Sequence, residues 1–183
     1  MIKARKNLII AIILIIFGLS NINAEENNHE FKLTPEKHHY LAIELNMQTW
    51  NLLSKDKRTK KENVRMINYA FASHYHWFKS PKWKPINEQR GEWLISHVYA
   101  VLKKGKKALK HAKKCKSITK KLNLKGFDLA YSYEALARAY ASLGNKKKLN
   151  KYYILAKEAG GRIKNEKNKK IFFNDLKSQP WFK

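Results

Sequence analysis

From residue 34 onward, apolar residues recur three and four positions apart, and the runs break at proline, glycine or lysine-rich stretches, a pattern that predicts seven helices. Thr34-Pro35-Glu36 supplies a hydroxyl cap, a proline suited to the first helical position and an acid in the first turn. A helix is expected from there to about Ser54, with Leu41, Leu45, Trp50 and Leu53 among its apolar positions. After a charged loop, 55–61, a second helix is expected over Glu62 to Phe78, carrying Val64, Ile67, Ala70, Phe71, Tyr75 and Phe78. Pro81 and Pro85 should stop any helix, and Asn87 can cap a third one running to about Lys104. Gly105 marks a turn. The fourth helix, Lys106 to about Leu122, has the clearest stripe: Ala108, Ala112, Cys115, Thr119 and Leu122, a seam of mostly small residues that lets a neighbouring helix come close.

Asp128 is the expected cap of a fifth helix that continues to Leu143, and Gly144-Asn145 turns the chain. A sixth helix, Lys146 to about Ala159, should end at Gly160-Gly161. The last apolar cluster, Ile171, Phe172, Phe173 and Leu176 followed by Pro180-Trp181-Phe182, reads as a short seventh helix covering the open end of a stack.

Within the fifth and sixth helices, Tyr133, Leu136, Ala137, Tyr140, Leu143 and Gly144 are followed by Leu149, Tyr153 and Ala156. This succession of large and small apolar residues about a Gly-Asn turn resembles the tetratricopeptide repeat family. The preceding hairpin repeats it at a constant offset of 41 residues: Tyr99 with Tyr140, Ala100 with Ala141, Leu102 with Leu143, Ala108 with Leu149 and Cys115 with Ala156. Lys103 stands where the second copy has Gly144, and the offset exceeds the usual period of about 34. An earlier copy is fainter, with Trp50 placed against Tyr99 and Leu53 against Leu102. The resemblance implies an all-α fold, a right-handed stack of about three antiparallel helix pairs with a C-terminal capping helix, in a single domain over 34–183. The competing expectation is a generic helical bundle.

In that family the first helix of each pair lines a concave groove that takes an extended peptide or a partner helix. Carried over to this chain, the resemblance places Arg90, Trp93, His97 and Val101 on the groove in one repeat and Tyr131, Glu134, Arg138 and Ser142 in the next. Two arginines beside aromatic rings would suit an acidic or carboxylate-ended protein or peptide ligand. Against this, Glu134 and Arg138 stand four apart in the order that favours mutual pairing, and Trp93 can serve as core.

Charge changes the picture further. The chain carries a formal +25, and its basic residues are 33 Lys against 6 Arg, a bias that an AT-rich genome would also produce. Ten lysines and no acid lie between Lys103 and Lys121, so Lys106, Lys107, Lys110, Lys113, Lys114, Lys120 and Lys121 form a candidate basic face on the helix 106–122. Such a face is the alternative binding element, for anionic lipid, glycan or another polyanion. It lacks interleaved aromatics for base stacking, which together with the expected export disfavours nucleic acid.

Residues 1–24 have the layout of a secretory signal: Lys3, Arg5 and Lys6, an apolar run from Leu8 to Leu19, and a polar end closing on Ala24. Cleavage there would leave +22 and a flexible leader over 25–33, and the expectation is export to a periplasmic or extracellular space, with no transmembrane span in the mature chain. The lone Cys115 cannot form an intramolecular disulfide. His38-His39 and His74-x-His76 are the histidine clusters, but neighbours one or two apart on a helix face different ways, so no metal site is expected. No phosphate-binding glycine loop, Ser-His-Asp signature or paired-carboxylate motif is present, so the expectation is a binding protein without cofactor or catalysis.

Overall fold

The computed structural model describes residues 32–178, so the expected signal segment, most of the leader and the Pro180-Trp181-Phe182 cluster lie outside the described residues. What is described is all helical. The order is α1 (Pro35–Leu53), α2 (Lys60–Lys79), α3 (Pro85–Val101), α4 (Gly105–Lys121), α5 (Gly126–Ser142), α6 (Lys146–Gly161) and α7 (Glu166–Lys177). Among the described residues no helix is long and apolar enough to cross a membrane.

Local chemistry sets the starts. Thr34 Oγ1 accepts from the Lys37 backbone N–H at 3.3 Å, and Pro35 opens α1 as expected. At α2 a reciprocal box forms, in which Thr59 Oγ1 accepts from Glu62 N–H at 3.2 Å while Glu62 Oε2 accepts from Thr59 N–H at 2.8 Å. That box moves the start of α2 back from Glu62 to Lys60. The Lys55 hydrogen bond, followed by those of Thr59, holds the Glu62 carboxyl down at about 2. Pro85 begins α3 rather than stopping a helix, and Asn87 sits inside the first turn, its Oδ1 accepting from Lys84 N–H at 2.7 Å. Asp128 likewise lies within the first turn of α5 instead of capping it.

Consecutive helices pack as pairs, α1 on α2, α3 on α4 and α5 on α6, and α7 lies against both α5 and α6. The main core joins Leu94, Ile95, Val98 and Tyr99 of α3 to Ala108 and Ala112 of α4 and to Leu136, Ala139 and Tyr140 of α5. The small-residue seam of α4 is buried as far as Thr119, and it lets α3 come close enough for the Ser96 hydroxyl to donate to the Ala108 carbonyl at 3.0 Å. The same device joins the first pair, where Ser73 Oγ donates to the Ala42 carbonyl at 2.7 Å.

Two turns carry the offset seen in the sequence. Lys103 has φ 55° and Gly144 φ 70°, so the residues 41 apart share a left-handed backbone conformation despite one having a side chain. Helix α6 ends at Gly160-Gly161 as expected, with both glycines inside its last turn and Arg162 as the C-cap. At Gly160 a Cβ would lie 2.3 Å from Cε1 of Phe172, so glycine is there because α7 presses its phenylalanine onto that backbone.

Candidate functional site

Helices α1, α3, α5 and α7 contribute all the walls of a cleft of about 630 Å³. Asn46 and Trp50 come from α1, Arg90 and Trp93 from α3, Phe127 and Tyr131 from α5, and Ile171 and Asp175 from α7. The first helix of each hairpin therefore faces one concavity, while α2, α4 and α6 line none of it. Charge divides along the same line. The inner helices α1, α3 and α5 hold six acids and three bases, whereas α2, α4 and α6 hold seventeen bases and two acids.

The aromatic floor is held from behind. Trp93 Nε1 donates to Glu134 Oε2 at 2.9 Å, and Glu134 Oε1 accepts from Arg138 Nε. The guanidinium of Arg138 also donates to the Asp175 carbonyl at 2.7 Å, and the Tyr131 hydroxyl donates to Asp175 Oδ2 at 2.5 Å. This chain of bonds runs from α3 through α5 to α7, and burying its charged members is tolerable because each has partners. Burial, ahead of the Asp175 hydrogen bond, raises the Tyr131 hydroxyl above its ordinary range. Burial likewise raises Asp175, outweighing the Tyr131 hydrogen bond. His97 stacks on Trp93 with ring centroids 5.3 Å apart and lies 5.9 Å from Trp50. Desolvation, aided by the Arg138 charge, pushes its pKa down to about 3, so the ring is neutral.

Of the six groove residues expected from the sequence, Arg90, Trp93 and Tyr131 line the cleft. His97 lies behind Trp50 and Trp93, its side chain 14% exposed. The expectation that Glu134 and Arg138 are open to a groove is corrected: they are 0% and 2% exposed, because α7 closes over α5 and takes up the arginine. Arg90 is left as the arginine on the cleft, and Asp128 forks it at 2.9 and 3.3 Å. Trp50 is a cleft residue, which its expected pairing with Tyr99 does not indicate. That pairing fails, since Trp50 reaches Trp93 at 5.9 Å while Tyr99 is stacked on His111. Phe127, Ile171 and Asp175 were also missed. Phe127 stands four residues before Tyr131 on the same face of α5, whereas Ile171 and Asp175 join the cleft only once α7 folds back.

On α4, Lys106, Lys107, Lys110, Lys113, Lys114, Lys120 and Lys121 are all exposed. Lys114 reaches Glu92 at 3.2 Å, and Lys107 lies over the Tyr99 ring at 5.6 Å. Aromatics do interleave with this face. They arrive from neighbouring helices, as where Lys116 Nζ sits 4.5 Å above the Tyr133 ring.

Packing of α1 on α2 brings His38 Nδ1 to 2.7 Å from His76 Nδ1, a pairing between the two sequence clusters rather than within either. Among the described residues no three His, Cys, Asp or Glu side chains gather as metal ligands. Cys115 is buried, accepts from Gln89 Nε2 at 3.3 Å and, chiefly by burial, has its thiol pushed up to about 12. Comparison with models of protein families, with curated proteins and with solved structures finds no match, so the cleft is read from its own geometry.

Proposed function

We propose that the protein is an exported, non-catalytic binding protein of tetratricopeptide-like build that takes an extended protein segment along its inner cleft. Three features support the repeat reading: the paired helices, the shared left-handed turns at Lys103 and Gly144, and the confinement of the cleft walls to alternate helices. The observation that carries the binding reading is the cleft itself. Its floor is Trp50, Trp93 and Tyr131, and two of these rings are fixed by hydrogen bonds to the carboxylates of Glu134 and Asp175, so little side-chain freedom is lost when a ligand lands on them.

The ligand we favour has an apolar or aromatic anchor. A preference for an acidic ligand would have drawn on two arginines, but Arg138 is consumed internally and Arg90 already faces Asp128. A carboxylate on the segment would have to exchange with Asp128 at Arg90, so it adds selectivity at the rim while the rings supply most of the affinity.

Selection of peptides from a random display library on the purified protein, followed by calorimetry, tests this. Peptides that bind wild type are expected to lose at least about tenfold in affinity to Trp50→Ala, a change of roughly 1.4 kcal/mol, and little on raising salt. Peptides indifferent to Trp50→Ala and to Arg90→Glu, or released by salt alone, would remove the cleft as the binding site.

A further inference from the structure

The outer surface carries an arrangement that the cleft does not use. On α4, Lys106, Lys110, Lys113, Lys120 and Lys121 are exposed, and among the described residues none of them makes an ion pair or lies over a ring. Lys106, Lys110, Lys113 and Lys120, spaced four, three and seven residues apart, share one stripe along about 21 Å of helix, and Lys121 flanks its end. The other α4 lysines differ, with Lys114 on Glu92, Lys107 over Tyr99 and Lys116 over Tyr133. The opposite stripe of α4, Ala108, Ala112, Cys115 and Thr119, is fully packed against the core, so the free ammoniums stand on the crest of the outer surface. No acid occurs between Glu92 and Asp128.

We infer that this crest is a docking edge for an anionic phospholipid surface. A row of point charges along the side of α4 that faces away from the core can meet a plane along its whole length. A flexible polyanion strand would instead be held best in a walled groove. Lysine suits this use, since its compact ammonium attracts diffuse headgroup charge without the bidentate fit that arginine supplies to a single phosphate. The tyrosines beside α4 already lie under lysine ammoniums, so their faces are not open for bases to stack on.

Composition alone does not account for the stripe. A lysine-rich chain would place lysine on every exposed helix face, yet the solvent side of α1 carries Tyr40, Ile43, Met47 and Trp50, and α1 has one lysine in 19 residues. Positive charge is concentrated on the outer helices and withheld from the inner ones. Docked by the α4 crest, the molecule would turn its cleft away from the lipid, so the two surfaces can act together without competing.

The test is co-sedimentation of the full chain with vesicles of phosphatidylcholine alone and with about a third phosphatidylglycerol, at low and high salt. The apolar run at Leu8–Leu19 would hold neutral and anionic vesicles alike, so the difference between the two compositions is the readout. Binding specific to anionic vesicles is expected, with loss at high salt as the screening length shrinks. Lys113→Gln with Lys120→Gln should lower the partition coefficient about 25-fold, at roughly fivefold per lysine, while Trp50→Ala leaves it unchanged. The inference is overturned by equal binding to both compositions. It is also overturned by an equal loss in the off-crest control Lys164→Gln/Lys167→Gln, which would make net charge the cause. Binding of soluble polyphosphate through the same crest lysines without vesicle binding would replace the membrane with a polymer. The cleft reading stands or falls separately, because its peptide test does not involve α4.

Discussion

Helices α1 and α5 are each the first helix of a hairpin, with 19 and 17 residues, yet α5 buries eleven of them and α1 three. The difference lies in neighbours. Helix α5 packs against α3, α4, α6 and α7, whereas α1 packs mainly on α2 and reaches α3 through the Trp50 ring. Of the large apolar side chains that stay exposed, Tyr40, Ile43, Met47 and Trp50 all lie on α1, and α5 has none. The cleft thus has one wall fixed in the core and one lightly held, and opening should cost least at α1, where apolar contacts are fewest. A ligand that covers Trp50 would add to the lighter wall the contacts that the other already has.

The sharpest way to break this contrast is Arg138→Met. Removing the guanidinium leaves Glu134 buried with only the Trp93 N–H as partner and frees the end of α7, so a loss of about 3–5 kcal/mol is expected. In a chain of this size that is a fall in Tm of roughly 6–20 °C. A shift below about 2 °C would show that the α5 wall is not held by this network.

Acid should find the seam between the two regions. His97 has a folded pKa depressed to about 3 from an ordinary 6.5, so the native state binds fewer protons there than the unfolded one. Its contribution is complete above pH 6.5 and is lost as pH falls toward 3, at up to about 1.4 kcal/mol per pH unit. Between pH 6.5 and 4.5 this group should therefore cost the wild type about 2 kcal/mol in urea unfolding, a loss that is absent from His97→Gln. Equal slopes in the two proteins would mean that His97 is not kept neutral by burial.

The smallest effect belongs to α1. Tyr40 is 64% exposed, and Tyr40→Lys should change stability by no more than about 0.5 kcal/mol in thermal unfolding. A larger loss would show that the α1 face is packed after all.

Periodicity recovered all seven helices because each has its own apolar stripe, and Leu136 and Tyr140, four apart on one face of α5, are both buried. The 41-residue offset extends to the backbone at Lys103 and Gly144, although lysine is a poor sequence marker for a left-handed turn. Ends were harder to read. Asn87, Asp128 and Gly160 belong to residue types that cap or break helices, but here Asn87 closes a first turn, Asp128 binds Arg90 and Gly160 makes room for Phe172. The cleft was half legible for a related reason. Arg90, Trp93 and Tyr131 follow from helical register, while the burial of Glu134 and Arg138 depends on where α7 lands, and no spacing within α5 encodes that.

The buried Cys115 sits under the lysine crest, with Gln89 donating to its sulfur and its thiol pushed up to about 12. A thiolate is therefore scarce at neutral pH, and oxidants or electrophiles outside the fold meet no nucleophile. A single silent thiol makes the chain its own clock. A thiol-reactive dye can label it only in moments when α4 parts from its neighbours, so the labelling rate would count those moments without any added probe.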